Sequence, residues 1–148
     1  MNRFDSIIEL INKNQSIANF AEYGEGTSQE LIDQAQEKLD VHFPPSYIWW
    51  LKNYAGGEIY GDEIFSVYST LGSMPGGDIV YINELDRKNS ILNKHQLSIM
   101  STDQGETFYF DLEQKDDLGE SPIYTLSNSK KYADDFLDFL KKQIGTNY

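Results

Sequence analysis

The sequence predicts a single α+β domain over residues 1–148, in which helices cover an antiparallel-rich sheet. Its 148 residues suit one domain with its own hydrophobic core. Apolar residues recur at helical spacing near both ends, and short strand-like runs separated by turn residues fill the middle. No internal repeat and no linker divides the chain. Helices followed by strands and a closing helix are typical of a sheet with helices packed on it.

Two amphipathic helices are predicted before residue 40. The first extends from Phe4 to about Lys13, because apolar residues recur there at helical spacing. The second begins at Thr27 or Ser28, since either side chain can cap a helix, and Glu30 is placed to complete a capping box from Thr27. Its apolar stripe consists of Leu31, Ile32, Ala35 and Leu39.

A third helix is predicted after the proline pair Pro44-Pro45. Proline at a first helical position has a suitable backbone angle and loses no hydrogen bond there. The glycine pair Gly56-Gly57 is expected to end this helix, because glycine adopts the left-handed cap conformation without steric cost. Spacing of i, i+3, i+4 and i+7 predicts a buried face made of Tyr47, Trp50, Leu51 and Tyr54.

Most of the sheet is predicted in the second half of the chain. Turns at Gly61-Asp62 and at Gly105 each join two strands, and a last strand that begins at Pro122 is expected at an edge. The predicted strands are 58–60, 64–68, 97–102, 107–112 and 122–126.

Two further helices accompany these strands. Residues 71–77 contain glycines and Pro75 and are predicted as a loop, after which Asp78 caps a helix with inner positions Ile79, Ile82, Leu85 and Leu92. The closing helix is predicted from about Lys131 to Ile144, with acids early and lysines late, as the helix dipole favours. Its buried stripe is expected to contain Tyr132, Phe136, Phe139 and Leu140.

The charge of the chain indicates what it binds. Twenty-four Asp and Glu residues against twelve Lys and Arg residues give a formal net charge of −12. Such a surface repels nucleic-acid phosphates and anionic membranes, and it attracts a basic protein. The alternative interpretation is that the acidity only keeps the protein soluble. Because no secretory or membrane-spanning pattern is recognisable, a cytoplasmic location is expected.

The residues that could perform chemistry are few. The sequence has no cysteine, and its two histidines, His42 and His95, do not stand at metal-ligand spacing. No phosphate-binding loop or nucleophile elbow is present. Carboxylates remain, but adjacent acids such as Asp62 and Glu63 would point to opposite faces of a strand. We therefore expect no enzyme activity, no cofactor and no metal.

Trp49 is the aromatic residue that the helical pattern does not place in the core. It lies about 200° around the third helix from Tyr47, on the side away from the buried face. Either the amino-terminal helix or an acidic loop covers it, or it is exposed as an anchor for a protein partner.

Two blocks of sequence carry a recognisable pattern. The first has an acid, a leucine, a proline, aromatic residues and a glycine pair at Glu37, Leu39, Pro44, Tyr47, Trp50, Leu51, Gly56 and Gly57. The second is the hairpin from Asp103 to Leu112. Together with the helix around Phe139, these blocks resemble the SUKH superfamily, which includes the yeast Smi/Knr cell-wall regulators and many bacterial immunity proteins. Asp40 departs from the pattern where glycine is frequent, and Glu106 where aspartate is frequent.

The resemblance implies an α+β fold without catalytic residues. It also implies that the chain binds a protein, with neutralisation of a basic toxin domain, often a nuclease, as the leading role. A regulatory binding module of the Smi/Knr type is the first alternative, and an enzyme or small-ligand binder that uses the carboxylates is the second. The residues expected to bind the partner are Trp49, Glu58, Asp62, Glu63, Asp103 and Glu106.

Overall fold

The computed structural model describes residues 2–73 and 76–145. Within these residues the chain forms five α-helices and one seven-stranded antiparallel sheet, which confirms the predicted α+β class. The strands lie side by side in the order in which they occur in the chain. The elements are α1 (Asp5–Lys13), β1 (Ala18–Phe20), α2 (Gln29–Leu39), α3 (Pro45–Tyr54), β2 (Gly57–Ile59), β3 (Asp62–Ile64), α4 (Ile79–Lys88), β4 (Gln96–Ser101), β5 (Thr107–Asp111), β6 (Ile123–Thr125), β7 (Lys131–Ala133) and α5 (Phe136–Gly145).

The first two helices lie where the apolar spacing predicts them. Ser28 caps α2, because its hydroxyl oxygen accepts the Leu31 N–H at 3.2 Å, so the predicted capping box from Thr27 is wrong. α2 ends at Asp40, which adopts left-handed backbone angles (φ 54°, ψ 50°). Aspartate tolerates this region better than most residues other than glycine, so the departure from the family pattern keeps the same backbone turn.

The third helix begins at the proline pair as predicted, and its four predicted inward residues are all buried. Its end differs from the prediction. Ala55 takes the positive φ of 64° at the carboxyl end of α3, and the glycine pair follows the helix without capping it. Gly57 lies in β2, where an added Cβ atom would stand 2.6 Å from the Phe20 Cα atom. The glycine therefore allows β1 to approach β2.

The β2–β3 hairpin turns one residue earlier than predicted. Tyr60 and Gly61 both have positive φ and form the turn, and Asp62 pairs with Ile59 as the first residue of β3. The strand ends at Ile64, and of the predicted continuation only Ser66 forms an isolated bridge, to Asp78. Met74 and Pro75 of the predicted loop lie outside the described residues.

The inward face of α4 also differs from the prediction. Asp78 caps the helix as expected, but Leu85 is exposed and Leu92 lies beyond the helix end. The buried positions of α4 are Ile79, Val80 and Asn83. The Asn83 side chain accepts the Ser98 N–H at 2.7 Å and donates to the Ser98 carbonyl at 2.9 Å. It therefore pairs with β4 where β3 has already ended.

The carboxyl-terminal part contains a strand that the sequence did not predict. Residues 131–133 form β7 rather than the start of the closing helix, and β6 is consequently an inner strand, not an edge. A run of three residues is too short to show a period of two, and Tyr132 fits a helical stripe equally well. Tyr132 still packs against Phe108 and Phe139, although from a strand.

The main core lies between the sheet and the helices α3 and α5. Tyr47 stands at its centre, and its hydroxyl donates a hydrogen bond to the Phe65 carbonyl at 2.5 Å. α4 packs against α2 and β4. This arrangement leaves the β2–β3 turn and the β4–β5 turn at one end of the sheet, because Ile64 of β3 pairs with Met100 of β4. The rings that contact Tyr47 are Phe43, Trp50, Phe110 and Phe136.

Candidate binding surface

The five predicted carboxylates lie on two neighbouring hairpins at one end of the sheet, which we call the acidic end. It consists of Glu58, Asp62, Glu63, Asp103 and Glu106. Glu58 pairs directly with Glu63 across β2 and β3, so these two side chains share one face. Asp62 pairs with the buried Ile59 and points to the opposite face. The prediction that Asp62 and Glu63 diverge is therefore confirmed.

Three of the five carboxylates line one cleft of about 500 Å³. Asp62 contributes from β3, and Asp103 and Glu106 contribute from the β4–β5 turn. The Asp62 Oδ1 atom accepts the backbone N–H of Asp103 at 3.1 Å, which ties the two hairpins together. Tyr60, 42% exposed, stands at the rim, and Gln143 of α5 also lines the cleft.

Glu106 is held as a fixed anion. Its carboxylate accepts hydrogen bonds from the Ser127 hydroxyl at 2.5 Å, the Ser127 N–H at 3.2 Å and the Thr107 N–H at 3.0 Å. The bond from the Ser127 hydroxyl is the main cause that lowers the pKa of Glu106. A carboxyl with a lowered pKa is a poor general acid near neutral pH.

On the other face, Glu63 has a hydrogen-bond partner. Its Oε2 atom accepts the Tyr68 hydroxyl at 2.8 Å, and burial together with this bond raises the pKa of Tyr68. The Glu58 carboxylate accepts no hydrogen bond from any described residue. It faces Glu63 directly, and like charges at opposite positions of adjacent strands repel each other. The fold therefore holds Glu58 in an electrostatically unfavourable position.

No basic residue balances the acidic end. Residues 53–86 and 95–114, which include all five carboxylates, contain neither Lys nor Arg. Over residues 2–73 and 76–145, none of the five carboxylates lies within 4.0 Å of a basic nitrogen. The field of this end is consequently negative, and it extends into solvent over about one Debye length, roughly 8 Å at physiological salt.

The ring contacts of Trp49 are with aromatic residues outside the acidic end. Its indole stacks on Phe4 with ring centres 4.5 Å apart and meets the edge of Tyr54 at 5.9 Å. The residue is half-buried. The amino-terminal segment thus covers Trp49 in part, which is the first of the two alternatives that the helical pattern left open.

Sequence reasoning missed a buried carboxylate that caps α3. Glu120 is 1% exposed and accepts the Ser46 N–H at 3.1 Å and the Ser46 hydroxyl at 2.8 Å. Arg3 neutralises it, with a distance of 2.7 Å between Nη1 and Oε2. The available signal was that Pro44 has no side chain able to cap a helix, so another residue must accept the first free N–H groups. Nothing in the sequence indicates that this residue is Glu120.

The described part of the chain contains no cluster of three or more His, Asp or Glu side chains able to hold a metal ion. In the same residues, no helix has the length and apolar character needed to cross a bilayer.

The fold and the acidic end together define a class, an acidic α+β domain built on a seven-stranded antiparallel meander. The family model described as SMI1-KNR4 cell-wall (SUKH_6) matches residues 29–140, and the chain belongs to this family. The match confirms the resemblance that the two sequence blocks indicate. Proteins of this family interact with other proteins, and the family is generally non-catalytic. A search of curated proteins gave no match.

Proposed function

We propose that the chain is a cytoplasmic, non-catalytic immunity protein that binds and neutralises a basic toxin domain. The observation that carries the proposal is the acidic end, where none of the five carboxylates on two hairpins lies within 4.0 Å of a basic nitrogen of the described residues. Of these, the Glu58 carboxylate forms no hydrogen bond to a described residue and is repelled by Glu63. Because this charge contributes nothing to the fold, a positively charged partner is the simplest reason for its position.

The proposed mechanism is steering followed by blockage. A nuclease domain is basic where it meets the phosphates of its substrate. The negative field of the acidic end would accelerate the encounter with that basic surface, and the bound chain would then exclude the substrate by charge and by bulk. The hydrogen bond from the Ser127 hydroxyl lowers the pKa of Glu106, so this carboxylate stays charged to a lower pH than an ordinary glutamate does.

The decisive experiment expresses the chain together with the carboxy-terminal domain of the toxin encoded beside it. We expect the two proteins to co-elute from a sizing column and the chain to restore growth of cells that produce the toxin domain. A protein that neither co-elutes nor rescues growth would overturn the proposal.

A pair of charge-reversal variants tests the role of the acidic end. The double variant Glu58→Lys/Asp103→Lys changes two carboxylates that accept no hydrogen bond from the described residues. We expect it to slow association with the toxin domain by about tenfold at low salt, with a smaller deficit at high salt. The matched control is Glu113→Lys/Asp117→Lys, which makes the same charge change in an exposed loop beyond the far end of β5. Equal slowing by both double variants would show that only the net charge matters.

Trp49 is the proposed second contact. Its half-buried indole presents a limited apolar surface beside Phe4. We expect Trp49→Ala to weaken the complex while the protein stays folded at working temperature. A binding constant unchanged by this variant would remove Trp49 from the interface.

A regulatory binding module is the second candidate function, and the family description, SMI1-KNR4 cell-wall, favours it. The gene neighbourhood separates the two candidates. A large secreted toxin encoded next to the chain supports immunity, whereas its absence together with a stable cellular binding partner supports regulation.

A further inference from the structure

The free edge of β1 presents backbone groups that no described residue satisfies. The Tyr60 N–H donates to the Ile17 carbonyl at 3.1 Å, and the Ala21 N–H donates to the Gly56 carbonyl at 3.2 Å. Residues 17, 19 and 21 therefore turn their backbone groups toward β2, and the alternation of an antiparallel ladder turns those of Ala18 and Phe20 away. The Ala18 N–H reaches the Asn14 carbonyl, but both backbone groups of Phe20 and the Ala18 carbonyl have no described partner.

This edge opens into a cleft of about 600 Å³ between β1 and α1, which we call the edge cleft. Its lining is mostly polar, with the amides of Asn12, Gln15 and Asn19. Among the described residues that line it, Glu22 is the only one with a formal charge. An unpaired strand edge is a ready template for another strand. Within the described part of the chain, no further strand pairs with this edge of β1, and no lysine lines the cleft.

A buried donor without a partner also lines the edge cleft. Tyr54 is 2% exposed, and its hydroxyl has no hydrogen-bond partner among the described residues. Burial raises the pKa of Tyr54 to about 12, so the hydroxyl stays protonated and lacks an acceptor. A buried polar group without a partner costs free energy that a ligand carbonyl would recover. The half-exposed Tyr23 meets the Tyr54 ring edge-on, with the ring centres 5.4 Å apart.

We infer that an extended, basic segment of the partner protein binds here as an eighth strand beside β1, an inference that rests on the proposed function. Its backbone would pair with the N–H and carbonyl of Phe20, and a lysine or arginine would meet Glu22. Asn19 pairs with Glu58, and Glu58 pairs with Glu63, so this face of β1 continues directly into the acidic end. A second copy of the chain is the wrong occupant, because two molecules of net charge −12 repel each other.

The test uses the full chain and two short blocked peptides of equal charge, one with alternating Lys and Val and one with Pro in place of each Val. Backbone hydrogen exchange is followed residue by residue by NMR. The Lys-Val peptide should slow exchange of the Phe20 amide by about tenfold or more, because that N–H gains a hydrogen bond. The Asn19 amide, already in the β1–β2 ladder, should not change, and the Lys-Pro peptide, which cannot pair along a strand, should slow neither amide.

Single-residue variants locate the site. Glu22→Lys should weaken binding of the Lys-Val peptide several-fold, whereas the matched control Glu25→Lys, in the same loop but outside the lining, should have a smaller effect. An unchanged Phe20 amide, an equal response to both peptides, or self-association of the chain through β1 would each overturn the inference.

Failure of this inference differs from failure of the proposed function. If the toxin domain co-elutes but residues 18–22 exchange in the complex as fast as in the free chain, strand addition is wrong and immunity stands. If the toxin domain does not co-elute, the proposed function fails. Slower exchange of the Phe20 amide with the Lys-Val peptide would still show that the edge of β1 can pair with an added strand.

Discussion

Carboxylates serve opposite purposes in two regions of this protein. Under α3 and α4, Glu120 and Asp78 are buried, and each accepts hydrogen bonds from backbone N–H groups at a helix start. At the acidic end, Glu58 and Asp103 accept no hydrogen bond from the described residues and form no ion pair with any of them. The net charge of −12 is therefore not one uniform property of the surface. Part of it stabilises the fold, and part of it remains available for a partner.

The comparison teaches how to separate structural from functional acids. A helix start offers free N–H groups and the positive end of the helix dipole, so a buried carboxylate there is compensated within the fold. A carboxylate opposite another carboxylate on a neighbouring strand receives no such compensation. Substitutions in the two regions should therefore differ in sign as well as in size.

The largest loss of stability is expected for Glu120→Ala. It leaves the buried N–H and hydroxyl of Ser46 without an acceptor and removes the partner of Arg3. We expect the free energy of unfolding to fall by about 3 kcal/mol, measured by urea denaturation. Arg3→Ala should cost only about 1 kcal/mol, since Arg3 is partly exposed and its ion pair is weakened by solvent. Equal losses for the two variants would show that the ion pair, not the cap, dominates.

A smaller loss is expected for Asp78→Ala. Asp78 accepts the Val80 N–H at 2.9 Å and the Gly72 N–H at 2.8 Å. Losing a helix cap with a second backbone bond should cost about 2 kcal/mol. Asp78→Asn keeps one acceptor oxygen and should retain more than half of the stability lost in the alanine variant. If the Asp78→Asn and Asp78→Ala variants unfold at the same temperature, the hydrogen bonds of Asp78 do not stabilise the start of α4.

At the acidic end the expected sign reverses. Glu58→Lys replaces a repulsive pair with Glu63 by an attractive one, and we expect a gain of about 0.5 kcal/mol in the free energy of unfolding. The comparable reversal Glu113→Lys, in an exposed loop, should change stability less. If Glu58→Lys lowered the free energy of unfolding as much as Glu120→Ala or Asp78→Ala does, Glu58 would be a residue that stabilises the fold.

The smallest effect concerns pH. The pKa of Glu106 is lowered chiefly by the Ser127 hydroxyl. A carboxyl with a lowered folded-state pKa contributes stability that is present above its unfolded pKa and is lost as the pH falls through its folded pKa. Ser127→Ala should raise the pKa of Glu106 toward its ordinary value and reduce that contribution. An NMR titration of the Glu106 carboxyl checks this, and Ser129→Ala, two residues away, should leave the titration curve unchanged.

Local patterns predicted the helices well and the short strands poorly. The proline start and the inward face of α3 follow from local backbone chemistry and spacing, so both were predictable. The strands β1 and β7 contain three residues each and show no usable alternation. Leu85 was predicted inward and is exposed, because α4 turns Asn83 toward the part of β4 that lies beyond the end of β3. A polar residue in that role breaks the apolar stripe on which the prediction depends.

The candidate site also has features that the sequence predicted and features that it did not. Its residue types, its acidity and the absence of Lys and Arg from residues 53–86 and 95–114 could all be read from the sequence. The opposite directions of Asp62 and Glu63 were predicted as well, but the pairing of Glu58 with Glu63 was not, because it depends on a turn at Tyr60 that begins one residue earlier than the sequence indicated.

The sequence by itself determined the fold class, the family pattern and the sign of the charge, because these depend on composition and on spacing within a few turns of chain. The tertiary structure decided which carboxylates form hydrogen bonds and ion pairs within the fold. Glu120 accepts hydrogen bonds from Ser46 across 74 residues of sequence, and Phe4 at the start of α1 stacks on Trp49 of α3. Such contacts have no local signature, since the free energy that fixes them is gained only when distant segments are packed together.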